Sequence, residues 1–493
     1  MGMRWALVDT LLDGTLAIRD KQEQYLPRHE KESITKYRKR LKRSVLMPAY
    51  RSALELAVSR PFSKPVTYTG TLPTDLEQFW LRTDQQGHDM TGFARRWFMM
   101  GLHYGLCHAL VDSPSTMASN LEEERELGVM PRAHLIKPTD LFGWRFTRSD
   151  AHGMQLTQIR FFEHRVVDSG TYGEKEQTTV KVINVDPESE GPGEWQRWTL
   201  MGKNEADQTW VMTEVGVFDY PEIPLVTFYG QQTAPMLGKP PFEHLAHLNV
   251  QHYQSDSEQK DLLQFARVGV WFAKGWSKAE LQKGLTIGAH RFVGSENPNA
   301  TLQVVEHSGS ALNMGMADID RIEARMQMVA HDVISRAPSG DMRATTAVVG
   351  ERRQESQIGA WTQDMNEALL HLTRHAGQWR NLEVPDDFRP QVFSDFVVGL
   401  RGDADVGQLH QMRANQDLSR QSYYEELQRR GFLSDMVTVE EEERRLEDEQ
   451  LNLPRAPVPT PPPEAFGDGV PDLDDDPNAG DMNELDRDAM ATE

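Results

Sequence analysis

The sequence predicts an α+β protein with a disordered acidic tail, and three observations carry that prediction. Apolar residues recur at helical spacing up to about residue 130 and again from residue 242 to 379. Between residues 133 and 228 they alternate with polar residues, which is typical of antiparallel strands. After residue 434 the chain is rich in proline and acidic residues and poor in apolar ones, which indicates disorder.

The negative charge is concentrated at the end of the chain. The 493 residues include 53 Lys and Arg and 75 Asp and Glu, a net charge of −22. Residues 435–493 carry 19 acidic and four basic side chains, a net of −15, whereas residues 1–434 carry 56 acidic and 49 basic ones, a net of −7. The folded part is therefore only mildly acidic, and no broad basic face for binding phosphates is expected.

Length, cysteine content and hydropathy restrict the class of protein further. A chain of this length should form more than one structural unit. Cys107 is the only cysteine, which excludes an intrachain disulfide, and its apolar surroundings predict a buried, unreactive thiol. Asp9 and Asp13 interrupt the N-terminal apolar stretch, so no signal peptide is expected, and no apolar run approaches the length of a membrane span.

Three helices are predicted in the first 130 residues. They cover about residues 37–54, 74–80 and 91–111. The first opens with the basic sequence YRKRLKR, which has two interpretations. It could contact nucleic acid, or it could be a solvated helix face paired with Glu30 and Glu32.

An antiparallel sheet and then a long polar helix are predicted next. Short alternating segments between turn-rich sequences predict the sheet over residues 133–228. Pro241 suits the first turn of a helix that should run from about residue 242 to 265. That helix is rich in Gln, Asp and Glu, so it needs neighbours along its length, from its own chain or from other copies.

A small mixed segment separates this helix from further helices. Short apolar strands and one small helix at 277–283 predict an α+β insert over residues 268–310. A second helix is expected over 316–336, with a packing seam formed by Ile319, Ile322, Met326, Val329 and Val333. A longer helix should follow a Pro- and Gly-containing break and end near Trp379, and two short helices are expected over residues 403–431.

Motifs for catalysis and cofactor binding are missing from the sequence. There is no GxxxxGK[ST], GxGxxG, HExxH, GxSxG or CxxC pattern, so no ATP-driven motor is expected and no cofactor is predicted. His371 and His375 lie four residues apart on a predicted helix and could share a metal ion, although no third ligand accompanies them. His244, His247 and His252 do not share one helix face. A His-dependent metal hydrolase is therefore an alternative, and ordinary histidines are the simpler interpretation.

Short segments around the long polar helix carry a family resemblance. The main ones are YPEIP at 220–224, PP at 240–241, LAHLN at 245–249, HYQSDS at 252–257 and FAKG at 272–275, with YLP at 25–27 and SRPFSKP at 59–65. In these segments the chain resembles one branch of the portal proteins of tailed bacteriophages, also called head-to-tail connectors. The resemblance spans about residues 25–434.

The resemblance implies the portal fold, an α+β fold with a wing, a two-helix stem, a clip and a crown. The parts would be a wing at 1–240, a first stem helix at 241–265, a clip at 266–312, a second stem helix at 313–336, a tunnel loop at 337–346, a long helix returning to the wing at 347–400 and a helical crown at 401–434. The disordered acidic tail at 435–493 lies outside the resemblance.

The same resemblance implies a structural role and no enzymatic activity. Portal subunits form a homo-oligomeric ring, usually a dodecamer, at one capsid vertex, where double-stranded DNA passes during packaging and ejection without sequence-specific reading. The implied partners are the terminase, the head–tail adaptor, and the major capsid and scaffold proteins. The expected location is the virion, after assembly in the host cytoplasm. Another phage minor head or scaffold protein is a second alternative, although a scaffold would be mostly extended helix.

Two groups of residues are candidates for contacts in such a ring. The predicted tunnel loop places Ser339, Gly340, Asp341, Met342 and Arg343 nearest the DNA, and the competing interpretation is a plain interhelical turn. Lys274, Lys278 and Lys283 are candidates for clip contacts with a partner, and the competing interpretation is a solvated face. A mildly acidic body suits a conduit, because a basic lumen would hold the sliding phosphates.

Overall fold

A computed structural model of the chain contains two compact units, Met1–Leu400 and Arg401–Glu493. The residues that it describes are 2–112, 129–149, 153–186, 192–202, 208–218, 222–268, 270–278, 297–305, 309–335, 344–394, 403–415, 417–429, 433, 441–442 and 444–445.

Helices and strands share the first unit, and the described residues of the second unit include the helices Asp403–Ala414 and Arg420–Arg429. The helices are α1 (Gly2–Asp13), α2 (Thr15–Asp20), α3 (Ile34–Arg43), α4 (Ala49–Ser59), α5 (Thr74–Leu81), α6 (Met90–Tyr104), α7 (Glu243–Val268), α8 (Gly309–Ser335), α9 (Ala344–Trp379), α10 (Asp403–Ala414) and α11 (Arg420–Arg429). This mixture of helix and strand confirms the predicted α+β class.

The strands form small antiparallel sheets and one larger sheet. They are β1 (Thr67–Thr69), β2 (Leu106–Asp112), β3 (Arg132–Ile136), β4 (Leu141–Ser149), β5 (Gly153–Ser169), β6 (Gly173–Asn184), β7 (Gly193–Met201), β8 (Thr209–Phe218), β9 (Leu225–Tyr229), β10 (Gln232–Ala234), β11 (Leu237–Gly238), β12 (Val270–Lys274), β13 (Thr301–Val305) and β14 (Arg389–Gln391). The larger sheet has the order β4-β5-β6-β7-β8, and a three-stranded sheet has the order β3-β2-β9.

The main hydrophobic core lies between the three-stranded sheet and the helices around it. Helices α4, α6, α7 and α9 contribute to it, together with β2 and β9. Phe98 of α6 stacks on Phe228 of β9 with ring centroids 5.2 Å apart. One face of α9 is apolar and buried, and it consists of Ile358, Trp361, Met365, Leu369 and Leu372. These contacts fix α9 against the sheet.

A second, smaller core lies on one face of the five-stranded sheet. Ile159 and Phe161 of β5 and Ile183 of β6 are buried there against residues of the β2–β3 region. Because side chains alternate along a strand, the neighbouring residues of β5 and β6 point to the opposite face of the same sheet. The alternation predicted for residues 133–228 is therefore found on β5 and β6, whereas the side chains of β8 from Thr209 to Val215 are all exposed.

The predicted bounds of two helices near the N-terminus are wrong. The helix expected over 37–54 is two helices, since α3 ends at Arg43 and α4 begins at Ala49. Pro48 precedes α4 and has no N–H to donate to an earlier carbonyl, so a continuous helix would lose a hydrogen bond and meet the proline ring. The helix expected to reach residue 111 ends at Tyr104, where Gly105 has the left-handed φ of 89°.

Helices α7 and α9 agree closely with their predicted positions, whereas α8 begins at Gly309, before the predicted start at about residue 316. Helix α7 was expected over 242–265, α8 over 316–336 and α9 to near Trp379. Ser419 accepts a hydrogen bond from the Ser422 N–H at 3.0 Å and caps α11. Among the described helices, none is both long and apolar enough to cross a membrane.

Candidate functional site: the paired long helices

The most distinctive feature of the first unit is a pair of long helices, α7 and α8, which we call the helix pair. They contain 26 and 27 residues, so each is about 40 Å long at about 1.5 Å per residue. His252 Nε2 lies 3.1 Å from Glu323 Oε1, and Gln259 Nε2 donates to the Leu312 carbonyl at 2.9 Å. Later residues of α7 therefore face earlier residues of α8, and the two helices run antiparallel.

Small and apolar residues let the two helices approach. Ile322 and Met326 of α8 are buried, and Ile319 and Val329 are partly buried, so this part of the predicted seam is confirmed. Gly315 leaves room for the Gln259 side chain, because a Cβ at that position would overlap it. The side chain of Val333 lies outside the described residues.

The polar residues of α7 bind backbone groups in the N-terminal part of the chain. Asn249 Oδ1 accepts from the Tyr50 N–H at 3.0 Å, and its Nδ2 donates to the Met47 carbonyl at 2.9 Å. Ser257 Oγ accepts from Ser44 Oγ at 2.7 Å. These contacts span the break between α3 and α4, so much of the polarity of α7 serves this connection.

The YLP segment at residues 25–27 is held through its three carbonyl groups. Gln254 Nε2 donates to the Tyr25 carbonyl at 2.8 Å, the Tyr37 hydroxyl to the Leu26 carbonyl at 3.1 Å, and Arg40 Nη2 to the Pro27 carbonyl at 2.8 Å. Each carbonyl thus has a side-chain partner on α3 or α7. The segment ties the start of the chain to the helix pair.

Two cations of the basic run form ion pairs with acidic residues of the same chain, one buried and one at the surface. Arg40 is buried and forms two hydrogen bonds with Glu32, at 3.0 and 2.8 Å. The hydrogen bond from Arg40 holds the pKa of Glu32 below its ordinary value, although partial burial opposes this. Arg43 pairs with Asp261 of α7 at 2.7 Å. The expected pairing with a nearby acidic residue is found at Glu32, and Lys39 and Lys42 remain exposed.

Among the residues that the structure describes, much of the outer surface of the helix pair is left uncovered. Met314, Met316 and Met328 of α8 are exposed, although each has a long apolar side chain. Of the α8 side chains that the structure describes, only Ile322 and Met326 are fully buried. A 27-residue helix with so little of its surface packed leaves apolar side chains available to another molecule.

The connection between the two helices carries an antiparallel hairpin. Strand β12 pairs with β13 from Val270↔Val305 to Lys274↔Thr301. Lys274 lies at the end of β12, and both Lys274 and Lys278 are exposed. Lys283 and the small helix expected at 277–283 lie wholly or mostly outside the described residues.

The five residues of the predicted tunnel loop also lie outside the described part of the chain. These are Ser339, Gly340, Asp341, Met342 and Arg343. The flanking helices are described, since α8 ends at Ser335 and α9 begins at Ala344. The expectation that this loop approaches DNA therefore stays a prediction.

The candidate metal-binding histidines have different surroundings. His375 is buried, contacts Gln378 at 3.1 Å, and has a pKa lowered mainly by burial. His371 lines a cavity of about 630 Å³ between β9 and α9. His252 contacts Glu323, as described above, while His244 and His247 are exposed. No group of three His, Cys, Asp or Glu side chains arranged to hold a metal ion occurs within the described residues.

A buried polar cluster between the two sheets was not predicted from the sequence. Lys181 of β6 donates to Asp112 of β2 at 2.8 Å, and its side chain is almost fully buried. Burial raises the pKa of Asp112, but Lys181 outweighs that effect and the pKa is lowered. His108, which lies four residues before Asp112 on β2, is also buried, and burial lowers its pKa to about 3. A lysine at an alternating strand position is typical of a solvated face, so the sequence held no signal for this pair.

The comparison with protein families matches the helix pair and its surroundings. Residues 241–380 match a family described as a domain of unknown function, DUF4055. The matched region begins just before α7 and ends just after α9, so it contains both long helices, the hairpin and the returning helix. No curated protein matches the chain.

Proposed function

We propose that this chain is the portal subunit of a tailed bacteriophage, a structural protein without enzymatic activity. Copies of the chain form a ring at one capsid vertex, usually of twelve subunits. Double-stranded DNA passes through the ring during packaging and ejection. The terminase docks on it during packaging and the head–tail adaptor afterwards, with the capsid and scaffold proteins around it.

The observation that carries the proposal is the order of elements from α7 to α9. An antiparallel pair of long helices presents a small hairpin at one end, and a longer helix then returns to the core. The return is supported by the Trp361 indole of α9, which donates to the Gly230 carbonyl at 2.7 Å. This arrangement projects the β12–β13 hairpin away from the main core, as a stem carries a clip.

The surface of the helix pair supports assembly with other copies. Exposed methionines on α8 and the exposed charges of α7 beyond Glu258 lie on elements that their own chain covers only in part. In a cyclic ring each pair would stand between two others, and heterologous contacts would cover these surfaces. This agrees with the expectation that so polar a helix needs neighbours along its length.

The charge distribution also supports a conduit. Residues 1–434 have a net charge of −7, and Arg40 and Arg43 are engaged in ion pairs within the fold. A lumen without a strong positive potential would let phosphates slide past, because tight phosphate contacts resist movement along DNA. Contact with DNA would then depend on shape and overall charge, not on base sequence.

Negative-stain microscopy of the purified chain, combined with its native mass, tests the proposal. Rings of about a dozen copies around a central hole are the expected result. A monodisperse monomer or dimer that does not change with concentration would contradict it. Metal analysis of the same sample then examines the alternative of a metal hydrolase, for which His371 and His375 would be the first residues to replace.

A further inference from the structure

In the described part of the chain, the five-stranded sheet ends in the edge strand β8. Among the described strands, β8 pairs with β7 alone, from Gly193↔Phe218 to Met201↔Thr209. Every side chain of β8 from Thr209 to Val215 is exposed, so both faces of the strand and its outer backbone are accessible. An edge of this kind is a template for pairing with another strand.

The sequence of β8 lacks the residues that usually prevent an edge strand from pairing with a strand of another molecule. Its sequence, TWVMTEVGVF, contains no lysine and no proline, and its one charged residue is Glu214. Glu214 is already paired with Arg197 of β7 and with Arg165 of β5. No unpaired charge on β8 therefore opposes the approach of a second strand. An apolar side chain of β8 is also available for contact, since Val217 is 69% exposed.

An apolar row crosses the whole sheet and reaches both of its edges. Paired residues share one face, and the row consists of Phe142 on β4, Phe162 on β5, Val180 on β6, Trp198 on β7 and Met212 on β8. This face is opposite to the second core. Its two ends are half exposed, with Phe142 at 46% and Met212 at 48%. Each edge of the sheet thus ends in an apolar side chain on the same face.

The directions and register of the two edge strands make them suitable for each other. Because each of the five strands is antiparallel to its neighbour, β4 and β8 run in the same direction. Leu141 of β4 and Glu214 of β8 lie in the same row across the sheet, because successive strands pair Leu141 with Phe161, Phe161 with Lys181, Lys181 with Arg197 and Arg197 with Glu214. A second sheet placed alongside by rotation about a ring axis would therefore bring the start of β4 beside the end of β8.

We propose that β8 of one copy pairs with β4 of the next copy, so that the sheets of successive subunits form one continuous sheet around the ring. The inference rests on the proposed function, because it requires a closed ring of identical subunits. Val215 and Val217 of one copy then cover Phe142 of the next. A closed ring leaves no free edge at either strand.

A lysine on the edge tests the contact, with a matched control on the same sheet. Val217→Lys should raise the concentration needed for ring formation about tenfold or more, because a charge on an edge strand opposes pairing. Val166→Lys is the control, since Val166 is 68% exposed but lies on β5. It should assemble like the unmodified chain. Circular dichroism and the thermal midpoint of both variants check that any loss of rings is not a loss of fold.

Crosslinking identifies the strand that pairs with β8 without disrupting the contact. Cys107 is the only cysteine and is fully buried, so maleimides should not reach it in the folded protein. The double variant Val217→Cys/Phe142→Cys, treated with a short bismaleimide and quenched before denaturation, should give a ladder of covalent oligomers. Each single variant should remain monomeric on the same gel.

The outcomes separate this inference from the proposed function. Absence of rings in the unmodified chain would overturn the portal proposal itself. Rings that persist in Val217→Lys, with no ladder from the double cysteine variant, would overturn only the sheet contact. Covalent dimers from Val217→Cys alone would also overturn it, because they indicate that β8 pairs with β8 of a partner.

Discussion

The side chain of Asn249 on α7 binds the backbone N–H of Tyr50, 199 residues earlier in the sequence, at 3.0 Å. The same amide donates to the Met47 carbonyl at 2.9 Å, and Asn249 is fully buried. One side chain thus satisfies two backbone groups at the break before α4. The helix pair and the N-terminal helices are joined at this point by specific hydrogen bonds as well as by apolar contact.

Replacement of Asn249 by alanine should destabilise the fold without changing its hydrophobic packing much. The Tyr50 N–H and the Met47 carbonyl would lose their partner in a buried position, and we expect a loss of about 3 kcal/mol in the free energy of unfolding. Gln251→Ala on the exposed face of the same helix is the control, with a change within about 0.5 kcal/mol. Urea titrations of both variants measure the difference. Equal effects would mean that the amide is not a specific anchor.

Replacement of Arg40 should show that this residue of the basic run stabilises the folded protein. Arg40→Met leaves Glu32, itself nearly buried, without its cation, and we expect a loss of about 3–5 kcal/mol. Lys39→Met removes an exposed neighbouring charge and should change stability by about 0.5 kcal/mol or less. Thermal or chemical unfolding compares the two. Similar, small losses would favour a surface role for Arg40 as well.

Alanine substitutions at Gly105 and Gly170 should separate the energetic cost of backbone strain from the cost of steric overlap. Both have left-handed φ, 89° and 80°, but a Cβ on Gly105 would overlap the Lys239 backbone, whereas Gly170 has open space around it. Gly170→Ala should therefore cost about 1–2 kcal/mol. Gly105→Ala should cost more than about 4 kcal/mol or prevent folding. Soluble yield and the thermal midpoint provide the comparison, and equal yields and midpoints would contradict the predicted overlap.

The pH dependence of stability should carry a contribution from His108. Its folded pKa of about 3 lies below the ordinary value of about 6.5, so the unfolded chain binds a proton that the folded chain excludes. Stability should fall as the pH drops below about 6.5, by about 2 kcal/mol from this residue between pH 7 and pH 5. His108→Gln should remove that part of the slope, while His29→Gln, at an exposed position, should keep it. Unfolding midpoints at pH 7 and pH 5 provide the measurement, and an unchanged slope in His108→Gln would contradict the assignment.

Local patterns predicted the helices and strands wherever one periodicity ran for many residues. The apolar face of α9 and the seam of α8 at Ile322 and Met326 follow from spacing alone, because burial of one helix face requires it. The alternation over residues 133–228 likewise predicted the strands. The absence of catalytic motifs was also visible in the sequence, since such motifs are short and local.

The candidate contacts around the helix pair depended on partners distant in sequence. Nothing near Asn249 or Gln254 indicates that their targets are Tyr50 and Tyr25, since those hydrogen bonds join segments about 200 residues or more apart. Polar residues on a long helix are equally typical of a solvated face. Their roles became clear only when the chain was folded.

The sequence by itself determined the α+β class, the positions of the long helices and the acidic tail, because periodicity and charge are properties of neighbouring residues. The tertiary structure decided that Leu106–Asp112 is a strand, since pairing with β3 and β9 outweighs its helix-like apolar run. It also decided that Lys181 is buried against Asp112 and that β8 is an edge strand among the strands that the structure describes. Strand pairing and burial are set by segments far apart in the chain, and a local pattern carries no information about which segment becomes the neighbour.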